Sequence, residues 1–348
     1  MQAVLLRCRP LARFHFGKLA PDSNTSLNTA GAWLPSDTLF SALANILADI
    51  APKEMDGLLD CFFTRKVSIS SGFYALETGE KTIFFLPKPA QYGLRVEDEF
   101  KAYNRVKLIS KTVWEKGLLY EDWEKQCLFL QNGAAVVDRD ELPAAFFEGK
   151  SETDLTKAAA QLALFQEEDF PHVKNHTQER LNRYYSVTST SIADNSLFLP
   201  KSSVHMYFLL EVQPGFEASP EFQLIQAAIR MLPDRGVGGE RSAGCGLYET
   251  AEFQAFTPPN TGTGHYCSVA LTVPANPAEL KRLECYQVTT RGGRRYGSDE
   301  KRFSFIRMMA EGAYATGKVD GHVVKIGKNK GHDVWRYGKA FCLETHPV

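Results

Sequence analysis

Between Gly236 and Gly246, five glycines fall within eleven positions of the run Arg235-Gly236-Val237-Gly238-Gly239-Glu240-Arg241-Ser242-Ala243-Gly244-Cys245-Gly246. Glycine has no Cβ, so its N–H can approach an anion closely and its backbone can adopt φ > 0. Arg235 and Arg241 add planar forks that match phosphate geometry. The chemistry expected here is phosphate binding. Gly236, Gly238, Gly239, Gly244 and Gly246 would be backbone donors, and Arg235, Arg241 and Ser242 side-chain contacts. The run fits neither nucleotide fingerprint: a dinucleotide loop from Gly236 needs glycine where Arg241 stands, and a Walker loop from Gly239 needs lysine where Cys245 stands. A surface loop of turn glycines is the competing reading.

The elements around this loop run in the reverse of the usual order, helix first and strand after. Phe222, Ile225, Ala228, Ile229 and Leu232 recur at helical spacing until Pro233, and Leu247 to Phe253 reads as a strand. Ala3 to Arg9 reads as the first strand. The next helix carries Leu39, Leu43, Ile46, Leu47 and Ile50 on one face, with Ser36 or Asp37 placed to cap it. Strands are expected over 67–76, 82–86 and 204–212, which gives β-α-β-β, an insertion over about 88–200, then α-β. Thr257 to Gly264 reads as a linker. After it, strands are expected over 266–273, 284–290, 303–309 and 322–326. The fold class is therefore α+β, with a first domain over 1–256 and a second over 265–348.

With 348 residues, 44% of them hydrophobic and 23% charged, the chain has ample core for this plan. No apolar run reaches membrane-spanning length, and no signal pattern opens the chain. The seven cysteines form no CxxC pair, which speaks against a zinc knuckle or a disulfide framework and for a reducing cytoplasm. The net charge is −1, but Lys281 to Arg307 holds eight basic residues against three acidic, and Asp138 to Asp169 nine acidic against three basic. The basic stretch is a candidate footprint for a phosphate backbone or else a solvated face, and the acidic one a docking or solvated surface. Arg291, Arg294 and Arg295 flank glycines and Tyr296, a mix suited to RNA or to exposed hairpin arginines without partners. Lys88, between two prolines, is either an RNA contact or a solvated turn lysine.

Several segments in order carry a resemblance. They are Phe14-His15-Phe16-Gly17, Pro35-Ser36-Asp37-Thr38-Leu39-Phe40, Leu86-Pro87-Lys88-Pro89, the glycine loop, Arg291-Gly292-Gly293, Met308-Met309-Ala310-Glu311-Gly312, and His332-Asp333-Val334-Trp335-Arg336-Tyr337-Gly338. Over nearly its whole length the chain resembles subunit four of the type III-A (Csm) CRISPR effector complex, in the RAMP superfamily of RNA-binding proteins. The resemblance implies two ferredoxin-like (RRM-like) domains, with a thumb-like hairpin in the first domain's insertion. It implies a non-catalytic subunit without cofactor or metal, which holds the repeat-derived 5′ tag of the guide RNA. Such subunits dock a large polymerase-like subunit and abut a backbone subunit. On this reading His15, Ser36, Lys88, Arg183, Arg291 and Arg294 join the loop as candidate RNA contacts. The glycine that follows the corresponding arginine in the family is absent after Asn182-Arg183-Tyr184.

The same superfamily offers a rival, a metal-independent guide-processing endoribonuclease with His15 as general acid/base; no partner for His15 is visible nearby in sequence. Asp37 invites comparison with the catalytic aspartate of backbone subunits, but an N-cap role accounts for it, and a lone carboxylate is a poor metal site.

Overall fold

The computed structural model describes residues 1–17, 30–90, 100–176, 181–293, 303–329 and 332–347. Arg294 lies outside the described residues.

The first strand, Gln2–Leu6, is largely apolar and buried and stands second from one edge of its sheet. It pairs antiparallel with Ser203–Val212 on one side and Ala251–Ala255 on the other. Ser203–Val212 pairs in turn with Val67–Glu77. These four strands, with helices Ser36–Ile50 and Pro220–Arg235, form the expected β-α-β-β-α-β run. The third strand of that run is Ser203–Val212, however, and not the segment at 82–86. Thr82–Pro87 instead extends the sheet outward from Val67–Glu77, followed by Leu108–Ser110, Ala135–Asp138 and Cys127–Leu130, to make eight strands. Hydrophobic alternation identifies a strand but not its neighbour, because pairing is settled by the distant segment that covers it.

The two helices bury Leu39, Phe40, Leu43 and Leu47 on one, and Phe222, Ile225, Ile229 and Leu232 on the other. Pro233 does not stop the second helix, which continues to Arg235. In the last turn proline removes a single ladder bond, and Gly236 N–H still reaches the Leu232 carbonyl at 2.8 Å. The closing strand begins at Ala251 rather than near 246, because the loop before it is held by other contacts described below.

Two antiparallel 12-residue strands, Phe165–His176 and Leu181–Ile192, form a long hairpin within the insertion, and Arg13–Phe14 pairs along its second strand. The C-terminal part builds a four-stranded sheet in the order Leu283–Cys285, Ala313–Ala315, His265–Ser268, Cys342–Thr345. Two small hairpins, 288–291 with 306–309 and 324–329 with 332–336, project from it. The expected 284–290 strand is thus two strands, and 313–315 and 342–345 were not anticipated. Three- and four-residue strands carry too little alternation to be read. The apolar core is continuous between the two parts: Cys267, Val269, Tyr337, Phe341 and Leu343 join the cluster built on the large sheet.

Candidate functional site: an interdomain seam, a glycine clasp and a cleft

The seam between the large sheet and the C-terminal part is built from the very segments that carry the resemblance. Asp37, fully buried in the first turn of its helix, accepts from Arg291 Nη2 at 2.9 Å and Nε at 3.0 Å, and from Arg336 Nη1 at 2.8 Å. It does not cap its helix; the N-cap residue is Pro35, without a side-chain bond. Burial alone would raise the Asp37 pKa, but the two arginines outweigh it and hold the carboxyl below its ordinary range. With both oxygens taken by guanidinium groups, Asp37 has no lone pair facing outward for a metal. Ser36 Oγ accepts from Leu271 N–H at 3.1 Å, so this candidate contact is buried in the seam.

Around this ion cluster Tyr337 stacks on Phe40 with centroids 5.1 Å apart, and Trp335 meets Phe63 edge-on at 5.3 Å. Lys88 is neither solvated nor at a free turn. Its amine donates to the Tyr103 carbonyl at 2.9 Å and sits over the Tyr103 ring, and burial, with Lys107 nearby, pushes its pKa down to about 7. Ala90 N–H, two residues on, donates to Gly312 at 2.8 Å and ties this segment to the Glu311-Gly312 motif. Arg291 likewise is not an unpartnered hairpin arginine.

The glycine loop closes over the segment 13–17 as a clasp. Gly239 N–H donates to the His15 carbonyl at 2.9 Å, Gly246 N–H to Arg13 at 2.7 Å, and Val237 N–H to Gly246 at 2.9 Å. Gly236 and Gly244 donate to Leu232 and Arg241. Four of the five expected backbone donors are therefore spent inside the protein. The glycines are required by close approach instead. A Cβ on Gly246 (φ +86°) would lie 2.2 Å from the Val237 carbonyl oxygen, and one on Gly238 (φ +93°) 2.7 Å from that of His15. The loop's outward chemistry is carried by exposed side chains. Arg241 spends one bond on the Arg235 carbonyl at 3.2 Å, Ser242 is exposed, and Arg235 pairs with Asp49 at 2.9 Å. His15 is buried, with Nδ1 2.7 Å from the Thr188 carbonyl. Arg183 lies on the hairpin's second strand opposite Lys174, its side chain outside the described residues.

A cleft of about 740 Å³ opens where the segment 31–35, the insertion and the C-terminal hairpin meet. Trp33 and Glu311 line it from inside, Arg105 and Lys107 from the insertion, and Gln287 and Arg291 from the C-terminal part. Ser71 Oγ donates to Glu311 Oε1 at 2.5 Å. Burial pushes the Glu311 carboxyl up, against the hydrogen bonds from Ser71 and Trp33 and the charge of Arg291. Sequence reading missed the cleft because its residues come from eight separated segments; the local signals were the motifs that hold Phe16, Pro35, Arg291 and Glu311. Among the described residues no group of three or more His, Cys, Asp and Glu side chains is placed to hold a metal ion, and no helix is long and apolar enough to cross a membrane.

Fold and site define an α+β scaffold: its buried charges hold two sheets together around a cleft, and its exposed arginines stand on a clasp beside a long hairpin. Residues 261–345 match the family described as the CRISPR Csm4 C-terminal domain. Over its whole length the chain is 23% identical to the CRISPR system Cms protein Csm4 of Methanocaldococcus jannaschii, covering 98% of that protein. It is 26% identical over 88% of its length to the protein of that name from Thermococcus onnurineus, covering 90% of it. Its fold is similar over both whole chains to one in the crystal structure of a Csm3–Csm4 subcomplex of the type III-A CRISPR–Cas interference complex, with a TM-score of 0.69 at 18% identity. It is also similar to a chain of a Csm1–Csm4 cassette in complex with cA4, with a TM-score of 0.55 at 16% identity over 99% of this chain and 98% of that one. In sequence and in fold the chain is thus similar to Csm4 subunits of type III-A CRISPR effectors, and its residues 261–345 carry the family match.

Proposed function

We propose that this chain is a non-catalytic RNA-binding subunit, which holds the repeat-derived 5′ tag of the guide RNA and joins a large polymerase-like subunit to a backbone subunit. The observation that carries this reading is the convergence of the resemblance motifs: Ser36-Asp37, Lys88, Arg291, Glu311-Gly312 and Arg336-Tyr337 meet in one seam. Relatives solved with Csm3 and with Csm1 support the two protein partners. The exposed Arg241 and Ser242 offer side-chain contacts for phosphates beside the hairpin, which takes the role of the thumb.

The domain plan follows the same reading, with a division at 257–264. The strand orders support two ferredoxin-like units. Numbered along each run, the strands stand 4-1-3-2 in 251–255, 2–6, 203–212, 67–77, and again in 342–345, 265–268, 313–315, 283–285. In the second sheet a hairpin takes the place of the second helix. The complex belongs in the cytoplasm, where guide RNA is made.

The test is to purify the tagged chain from its native cell, sequence the ends of co-purifying RNA and identify bound proteins. Uniform repeat-derived 5′ ends together with a large polymerase-like partner are expected. RNA held by a 3′ repeat hairpin without partners would favour the processing endoribonuclease instead. That enzyme must cleave repeat RNA alone in chelator and lose the activity on His15→Ala. Absence of RNA would overturn both.

A further inference from the structure

At one end of the large sheet the buried His205 stands among charges from every neighbouring segment. Arg7, just past the first strand, bonds Glu77 on one side and, at 2.9 Å, Glu252 of the closing strand on the other. His205 Nε2 lies 3.1 Å from Arg7 Nη1, 2.9 Å from Ser203 Oγ and 3.5 Å from Glu77 Oε2. The other ring nitrogen, Nδ1, accepts from Cys8 N–H at 3.1 Å.

That last bond fixes the tautomer. A nitrogen that accepts a backbone N–H carries no proton, so the neutral ring keeps its proton on Nε2, toward Ser203 and Glu77. A histidinium carries a proton on both nitrogens. Its Nδ1–H would face Cys8 N–H, donor against donor, and its charge would stand beside the Arg7 guanidinium. Burial, with Arg7 on the same side, lowers the His205 pKa against the pull of Glu77, whose carboxylate is already bonded to Arg7. The Cys8 thiol, pushed up to about 12 by burial, stays neutral. The Cys8 peptide that would lose its partner lies in a corner of short bonds. Arg7 N–H donates to the Thr250 carbonyl at 2.9 Å, Glu249 N–H to the Arg7 carbonyl at 2.7 Å, and Arg9 pairs with Glu249 at 2.7 Å. The same two segments run on into the glycine clasp, where Gly246 N–H reaches the Arg13 carbonyl.

We infer that His205 is a proton-operated latch on this corner. The neutral ring holds Cys8 N–H and keeps 7–9 closed against 249–250; the cation releases that bond and loosens the clasp behind it. The latch is a property of the chain alone and stands apart from the RNA-binding reading.

The test is hydrogen exchange of the full chain at about pH 7.5 and about pH 5.5, corrected for the intrinsic rate. It compares the corner, 7–16 and 244–252, with the helix Pro220–Arg235. A ring that takes up its proton only after opening, at the ordinary histidine value of about 6.5, raises the open population at most about 10-fold at the lower pH. The corner is expected to be less protected than the helix at both pH values, because it opens alone. It should lose a further factor of about 3 to 10 in acid. His205→Gln offers Cys8 N–H an acceptor that takes no proton in this range, and its corner should be equally protected at both pH values. A corner as protected as the helix opens only with the whole molecule, which overturns the latch. Unchanged protection of the parent in acid, or the same loss in His205→Gln, overturns it too. If His205→Gln does not fold, the two comparisons within the parent decide.

Discussion

Asp37→Asn tests whether the seam is held by charge. The substitution keeps the shape of the side chain but removes the negative charge between two guanidinium groups whose side chains are only 11% and 9% exposed. Breaking a buried pair from one side costs about 3–5 kcal/mol, because the partner charge stays buried and uncompensated. Here two partners are stranded, and Arg336 Nε is already buried without a hydrogen bond, so the upper part of that range is expected. At roughly 2 °C per kcal/mol for a chain of this size, the melting temperature should fall by about 8–10 °C. The pH dependence has a definite sign. The folded pKa lies below the unfolded value, so the contribution is complete above about pH 4 and is lost as pH falls through the folded pKa. The assay is thermal melting of parent and Asn variant at neutral pH and in acid, with limited proteolysis between residues 257 and 264 as a readout of the seam. If the variant melts within a degree of the parent and is cut no faster, the ion cluster does not hold the two parts together.

Gly246→Ala should destabilise by more than about 2 kcal/mol, since its Cβ would meet the Val237 backbone, whereas Gly244→Ala, with open space around it, should cost only about 1 kcal/mol; comparative melting decides. Gly239→Asp would strain the clasp against the His15 ring 2.9 Å away, so Arg241→Ala is the cleaner probe of RNA contact. It should leave melting unchanged, weaken RNA retention, and flatten the slope of log affinity against log salt by roughly 0.7, as read by binding at several salt concentrations. His205 is buried beside Arg7, Glu77 and Ser203, and its Nδ1 accepts from Cys8 N–H at 3.1 Å. Burial, partly opposed by Glu77, lowers its pKa, so the unfolded chain takes up the proton first. Stability should fall as pH drops below about 6.5, the ordinary histidine value, and His205→Gln should blunt that fall in melts across the range.

The sequence by itself determined the local elements and their chemistry. The period of apolar residues marked both long helices, the alternation at 67–76 marked a strand, and the ordered motifs carried the resemblance, because each depends on neighbours a few residues apart. What those motifs do was decided only by the tertiary structure. Asp37 read as a cap because its helix start is local, but its partners stand more than 250 residues away, at Arg291 and Arg336. The loop glycines read as donors to a phosphate because five N–H groups were in view, while the carbonyls that take four of them belong to the preceding helix, to the loop itself and to the segment 13–17. The third strand stayed open in the sequence for the same reason: 82–87 and 203–212 both read as strands, and the choice between them was made by which one pairs with Gln2–Leu6. A residue's type limits the bonds it can make, and packing from distant parts of the chain decides which of them it keeps.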